Sequence, residues 1–177
     1  MKRLATTVFL MVAVALTATS TIAEAANGGA TVATSQVSFT LSSATCSNLP
    51  SGTTLTGSGT QTSVTTTRTD ASGVTTIVNA THAAGTATDQ ANNVVYRFNY
   101  SNEFRVSNTV AQPGVFSGLM TDAFSVAGNG PARLHNGFVA DLTANAEFTS
   151  FSWTVRHASG DPISFATGPV VSHCDPL

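Results

Sequence analysis

Val94-Val95-Tyr96-Arg97-Phe98-Asn99-Tyr100-Ser101-Asn102-Glu103-Phe104-Arg105-Val106 is the stretch that decides the fold. One parity carries Val94, Tyr96, Phe98, Tyr100, Asn102, Phe104 and Val106; the other carries Val95, Arg97, Asn99, Ser101, Glu103 and Arg105. Strand side chains point alternately to opposite faces, so this segment reads as a long strand with an aromatic stripe on one side and a polar stripe on the other. A strand with one apolar and one solvated face belongs to an antiparallel sheet.

Working outward, the same period of two recurs. Val37, Phe39 and Leu41 alternate with Gln36, Ser38 and Thr40. Residues 53–69 hold 9 threonines among 17 positions, a β-branched composition that favours extended backbone. Because few of its side chains are large, this strand's register is weakly specified and it reads as a possible edge. Asp70-Ala71-Ser72-Gly73 is a turn leading into Val74–Val78, and Gln90–Asn93, Pro113-Gly114, Gly128–Pro131 and Asn145–Glu147 are further reversals. Strands then follow over Gly118–Val126, Ala132–Thr143, Phe148–His157 and Ile163–Ala166. Helical periodicity is absent beyond the first residues. The expectation is an all-β chain: a single antiparallel meander of seven or eight strands. A closed β-barrel is the preferred form, because closure removes the edges of a meander, and a β-sandwich is the alternative.

The amino terminus reads as an address. Lys2 and Arg3 precede an apolar run from Leu4 to Leu16, and Ala23-Glu24-Ala25 supplies a small-x-small site. That is the layout of a secretory signal peptide over residues 1–25. A flexible leader over 26–33 and a barrel domain over 34–177 complete the expected organisation. Thr17, Thr19, Ser20 and Thr21 interrupt the run before it reaches the roughly 20 apolar residues of a spanning helix, so a membrane span is not expected. Cys46 and Cys174 are the two cysteines of the chain, and in an exported protein they read as one disulfide.

Beyond the leader five arginines, Arg68, Arg97, Arg105, Arg133 and Arg156, face eight carboxylates with no lysine. Such a surface has no electrostatic footprint for nucleic acid. The histidines, His82, His135, His157 and His173, lack the close spacing of a metal-binding pair, so neither a metal nor a cofactor is expected. Gly57-Ser58-Gly59-Thr60 leads into a strand rather than a helix and is no phosphate loop. Asn79-Ala80-Thr81 and Asn99-Tyr100-Ser101 match the N-glycosylation pattern.

Chemistry enters through phase. Asp122 shares parity with Met120, Phe124 and Val126; His157 with Phe151, Trp153 and Val155; Asn136 with Leu134, Phe138 and Leu142. A carboxylate and an imidazole directed into one interior make Asp122 and His157 the candidate catalytic pair. Tyr96, Tyr100, Asn136 and Trp153 are the candidate ligand-binding residues, offering aromatic walls with a few polar groups. The stretches Thr75–Asn79 and Tyr96–Tyr100 with the closing His173-Cys174-Asp175-Pro176-Leu177 resemble small secreted proteins of actinobacteria that have no assigned activity. The resemblance implies a bacterial, secreted β-protein and carries no catalytic residues. In general outline the expected barrel is similar to lipocalins and allene oxide cyclases, an analogy of shape alone. The functional expectation is an exported, non-catalytic barrel that binds a small apolar ligand inside. The alternatives are a barrel enzyme of isomerase or cyclase type, and a cell-surface or matrix interaction protein presenting the Thr-rich strand as an edge.

Overall fold

The computed structural model describes residues 20–24, 29–165 and 173–174, the first of these as backbone only. Its elements are β1 (Ser20–Glu24), β2 (Ala30–Ser42), β3 (Thr54–Thr69), β4 (Thr75–Asp89), β5 (Val94–Thr109), β6 (Gln112–Gly128), β7 (Leu134–Asn145) and β8 (Phe151–Gly160). They form one antiparallel sheet in sequence order, each strand paired with its neighbours in the chain. No helix occurs among the described residues. The expected meander is therefore present, with two corrections. Among the described residues the sheet is not closed, since the order runs linearly from β1 to β8 and no pairing joins its ends. The Thr-rich β3 is not an edge either: it is paired along its length with β2 on one side and β4 on the other.

The leader boundaries also shift. β2 begins at Ala30, so residues 30–33 of the expected flexible leader are strand, paired with Val64–Thr66 and Ser63 of β3. β1 lies within the expected signal peptide and pairs with Thr31–Ser35 of β2. The apolar run of the leader and residues 26–28 lie outside the described residues; of the expected last strand Ile163–Ala166, residues 163–165 form no strand beyond a single bridge at Ser164, and Ala166 lies outside the described residues.

Burial follows the alternation. In β5 Tyr96, Phe98, Asn102, Phe104 and Val106 are buried while Val95, Arg97, Asn99, Ser101, Glu103 and Arg105 are exposed. One continuous face of the sheet is thus internal, and the sheet must coil to cover it. Phe39 of β2 and Phe124 of β6 lie four strands apart, about 19 Å along a flat sheet at ~4.8 Å per strand. Their ring centroids are 5.8 Å apart. The curl works because β3 and β4 present small residues to the rings of β2 and β5. Gly59 and Gly85 are cross-strand partners. A Cβ on either would lie 2.8 Å or 2.7 Å from the Phe98 ring. Phe98 fills that space and meets Phe39 edge to face at 4.9 Å.

The interior divides into two apolar clusters. The first joins Val37, Phe39, Leu55, Tyr96, Phe98, Phe124, Val126 and Leu134, and is capped by Cys46 and Leu49 from the β2–β3 loop. The second joins Phe104, Val106, Phe116, Met120, Phe138, Ala140 and Leu142. Cys46 and Cys174 form a disulfide across 128 residues, as expected, and both are buried.

Candidate functional site

Between the two clusters runs a belt of polar side chains on the inner face. Register alone builds most of it. Asn102 of β5 lies directly opposite Asp122 of β6, and one step along, Tyr100 lies opposite Phe124, which lies opposite Asn136 of β7. Inward residues two apart on adjacent strands are diagonal neighbours, so Tyr100 and Asn136 both flank Asp122. The Asp122 side chain is 1% exposed. A carboxylate so enclosed is costly unless its oxygens are satisfied. Its Oδ2 accepts from the Tyr100 hydroxyl at 2.9 Å and from Asn102 Nδ2 at 2.8 Å.

The partner of Oδ1 does not come from the sheet. His173, 3% exposed, places Nε2 2.8 Å from it. The imidazole sits between rings, 5.3 Å from Phe124 and 6.0 Å from Tyr100. Its Nδ1 lies 2.7 Å from Asn136 Oδ1, while Asn136 Nδ2 donates to the His173 carbonyl at 2.8 Å. Because the amide nitrogen is committed to that carbonyl, the amide oxygen faces the ring, and Nδ1 carries a hydrogen. Nε2 and Asp122 Oδ1 face each other as a buried pair, and neither atom has another hydrogen-bond partner. The Tyr100 phenol is raised well above its ordinary value, first by burial and then by the adjacent Asp122 charge and hydrogen bond.

The structure brings together three of the expected site residues, Asp122, Tyr100 and Asn136, and separates the others. His157 does not meet Asp122. It is exposed on the outer face, opposite Val139. The register shifts between Val139 and Ala140, whose partners are His157 and Val155, so Arg156 is an extra residue that reverses the phase. Arg156 instead reaches Asp141 with two hydrogen bonds of 2.8 Å and 2.6 Å on the exposed surface. Tyr96 is buried in the first cluster, its hydroxyl accepting from Ala132 N at 3.4 Å. Trp153 is half-buried on β8, against the second cluster. Two belt members escaped the sequence reading. Asn102 stood in the aromatic stripe of β5, where a lone amide among rings is itself a signal. His173 had one signal only, its position next to Cys174.

A second feature lies at the end of the sheet. Phe151, Trp153 and Val155 alternate along the inner face of β8, yet all are only half-buried, because β8 is the last strand. With Ile77, Phe148 and Ile163 they pack against the second cluster. Phe148, at φ 52° in the β7–β8 turn, lays its ring 6.1 Å from Phe104 and 5.6 Å from Phe116. Val115, Asn145 and Phe151 border an adjoining open concavity of about 190 Å³.

Among the described residues no three His, Cys, Asp or Glu side chains converge to hold a metal ion, and no helix is long and apolar enough to cross a membrane. The Asn79 amide is buried and donates to Ser63 and Thr65 hydroxyls, which removes it as an acceptor of glycan in the folded protein, whereas Asn99 is exposed. No protein-family model, curated protein or solved structure matches the chain.

Proposed function

We propose that this protein is an exported, non-catalytic binding domain whose coiled, barrel-like wall takes a small apolar ligand at the β8 end of its interior. One observation carries the reading: the half-buried row Phe151, Trp153 and Val155, continuous with the second apolar cluster. Accessible aromatic side chains gathered on a concave apolar surface are what a small hydrophobe requires. Export is supported by the leader pattern and by a disulfide of the kind that persists in oxidising compartments. The isomerase or cyclase reading has less support, because His157 is exposed away from Asp122, and Asp122 and His173 are enclosed. The interaction-protein reading loses its edge, since β3 is paired on both sides.

Trp153 is the single tryptophan of the chain, so its fluorescence reports on this surface alone. Titration with a naphthylamine probe or a medium-chain fatty acid is expected to shift its emission saturably. Trp153→Ala is expected to lose at least about tenfold in probe affinity with unchanged far-UV circular dichroism, as befits loss of a large apolar contact. Emission indifferent to every probe, or a variant that binds as well as the parent, overturns the reading.

A further inference from the structure

The belt around Asp122 has the form of a receptor and its occupant. Four side chains, Tyr100, Asn102, Asp122 and Asn136, belong to β5, β6 and β7, and the sheet register alone places them. His173 belongs to none of these strands and enters from the far end of the chain. Subtract its side chain and the sheet presents a slot with a defined chemistry. Asp122 Oδ2 is already satisfied by Tyr100 and Asn102, which leaves Oδ1 as an acceptor. Asn136 Oδ1 is a second acceptor, held outward because its Nδ2 is committed to the His173 carbonyl. The rings of Phe124 and Tyr100 form the walls. Two acceptors, one of them anionic, contacted at 2.8 Å and 2.7 Å by the two nitrogens of one ring, specify a flat cation with two N–H donors.

We propose that Tyr100, Asn102, Asp122 and Asn136 form a binding site for a planar 1,3-dinitrogen cation of the imidazolium or amidinium class, and that His173 fills it as a ligand in cis. His173 is thereby pegged into the sheet. The peg is held on both flanks: Cys174 is bonded to Cys46, and the His173 carbonyl also accepts from Asn48 Nδ2 at 3.4 Å. A filler that merely occupied volume would be apolar here, between two apolar clusters; the slot is instead matched to the occupant's charge and to both its donors. This site is distinct from the β8 surface, and neither reading depends on the other.

The test is chemical rescue. His173→Gly removes the peg and leaves a polar cavity of imidazole shape. Its thermal midpoint is expected to fall, and added imidazole to raise it saturably, while ammonium chloride at equal ionic strength does not. The parent, with its slot filled, is expected to show no such rise. In the His173→Gly background, Asp122→Asn is expected to weaken the imidazole effect about tenfold or more, the value of a hydrogen bond to a charged group. A His173→Gly protein that stays unfolded in imidazole, or folds but ignores it, overturns the proposal. So does a rescue that Asp122→Asn leaves intact. Nitrogen-15 NMR of the parent adds a reading that needs no variant. Both ring N–H protons of His173 are expected to be visible and slow to exchange, and a ring proton exchanging freely with water refutes the slot.

Discussion

At the scale of single residues, the belt explains how a carboxylate survives between two apolar clusters. Asp122 is tolerable because Oδ2 accepts from Tyr100 and Asn102 while Oδ1 faces the His173 imidazole at 2.8 Å. The consequence is a pH dependence of known sign. The Tyr100 phenol ordinarily titrates near 10 and is raised well above that in the fold, so the unfolded chain releases this proton first. Its contribution to stability is complete below pH 10 and declines as the pH climbs toward the folded value, at about 1.4 kcal/mol per pH unit in that window. Urea unfolding of the parent and of Tyr100→Phe between pH 9 and about 11 checks this. The parent is expected to lose stability more steeply, and identical slopes would refute it. Three of the five belt residues, Tyr100, Asp122 and Asn136, were legible from parity as site candidates, while Asn102 stood in the stripe of β5 without being marked as one. The fifth was not legible, because no periodicity links Asn136 to His173, 37 residues on.

At the scale of elements, the strands obey their alternation until a bulge or a close packing contact intervenes. In β8 one inserted residue, Arg156, carries His157 to the solvent side, and a period-two reading has no means of detecting the insertion. In β3 the lack of large side chains suggested an exposed edge, whereas the small residues of β3 and β4 are there to admit rings from neighbouring strands. A Cβ at Gly85 would sit 2.1 Å from the Ser58 carbonyl oxygen and 2.6 Å from Gly59 Cα, backbone atoms that cannot step aside cheaply. Gly85→Val is therefore expected to cost about 1–3 kcal/mol, or more if the ladder itself parts. A urea midpoint equal to that of the parent would show that the strands are less tightly apposed. The β3–β4 hairpin ends in a turn that needs no such packing. Asp70 Oδ1 accepts from the backbone of Ser72 and Val74, and Gly73 takes φ +88°.

At the scale of the whole molecule, the described strands do not close into a barrel, because no pairing among them joins β8 to β1 or β2. β2 through β8 are seven strands, so the first and last run in the same direction, and a ring of purely antiparallel pairs needs an even number. β1 makes eight, and among the described residues it pairs with Thr31–Ser35 of β2 and not with β8. An open sheet has to be secured some other way, and here the β2–β3 loop is tied to the far end of the chain. Breaking Cys46–Cys174 with Cys46→Ser and Cys174→Ser is expected to cost about 4–5 kcal/mol, the loop-closure entropy of a span this long. Chemical denaturation compared with the parent measures it, and a loss below about 1 kcal/mol would mean that the rest of the chain holds these ends together unaided.

Locally encoded properties could be read from the sequence by itself: the all-β class, the order of strands and turns, the parity that points Asp122, Tyr100 and Asn136 inward, and the pairing of the two cysteines. Each depends on neighbours within a strand or on the absence of any other choice. Tertiary structure alone decided the open edge, the interior place of β3, the outward turn of His157 and the insertion of His173 between Phe124 and Tyr100. These arise from bulges, from sheet coiling and from contacts between distant segments, and such contacts leave no repeating mark along the chain.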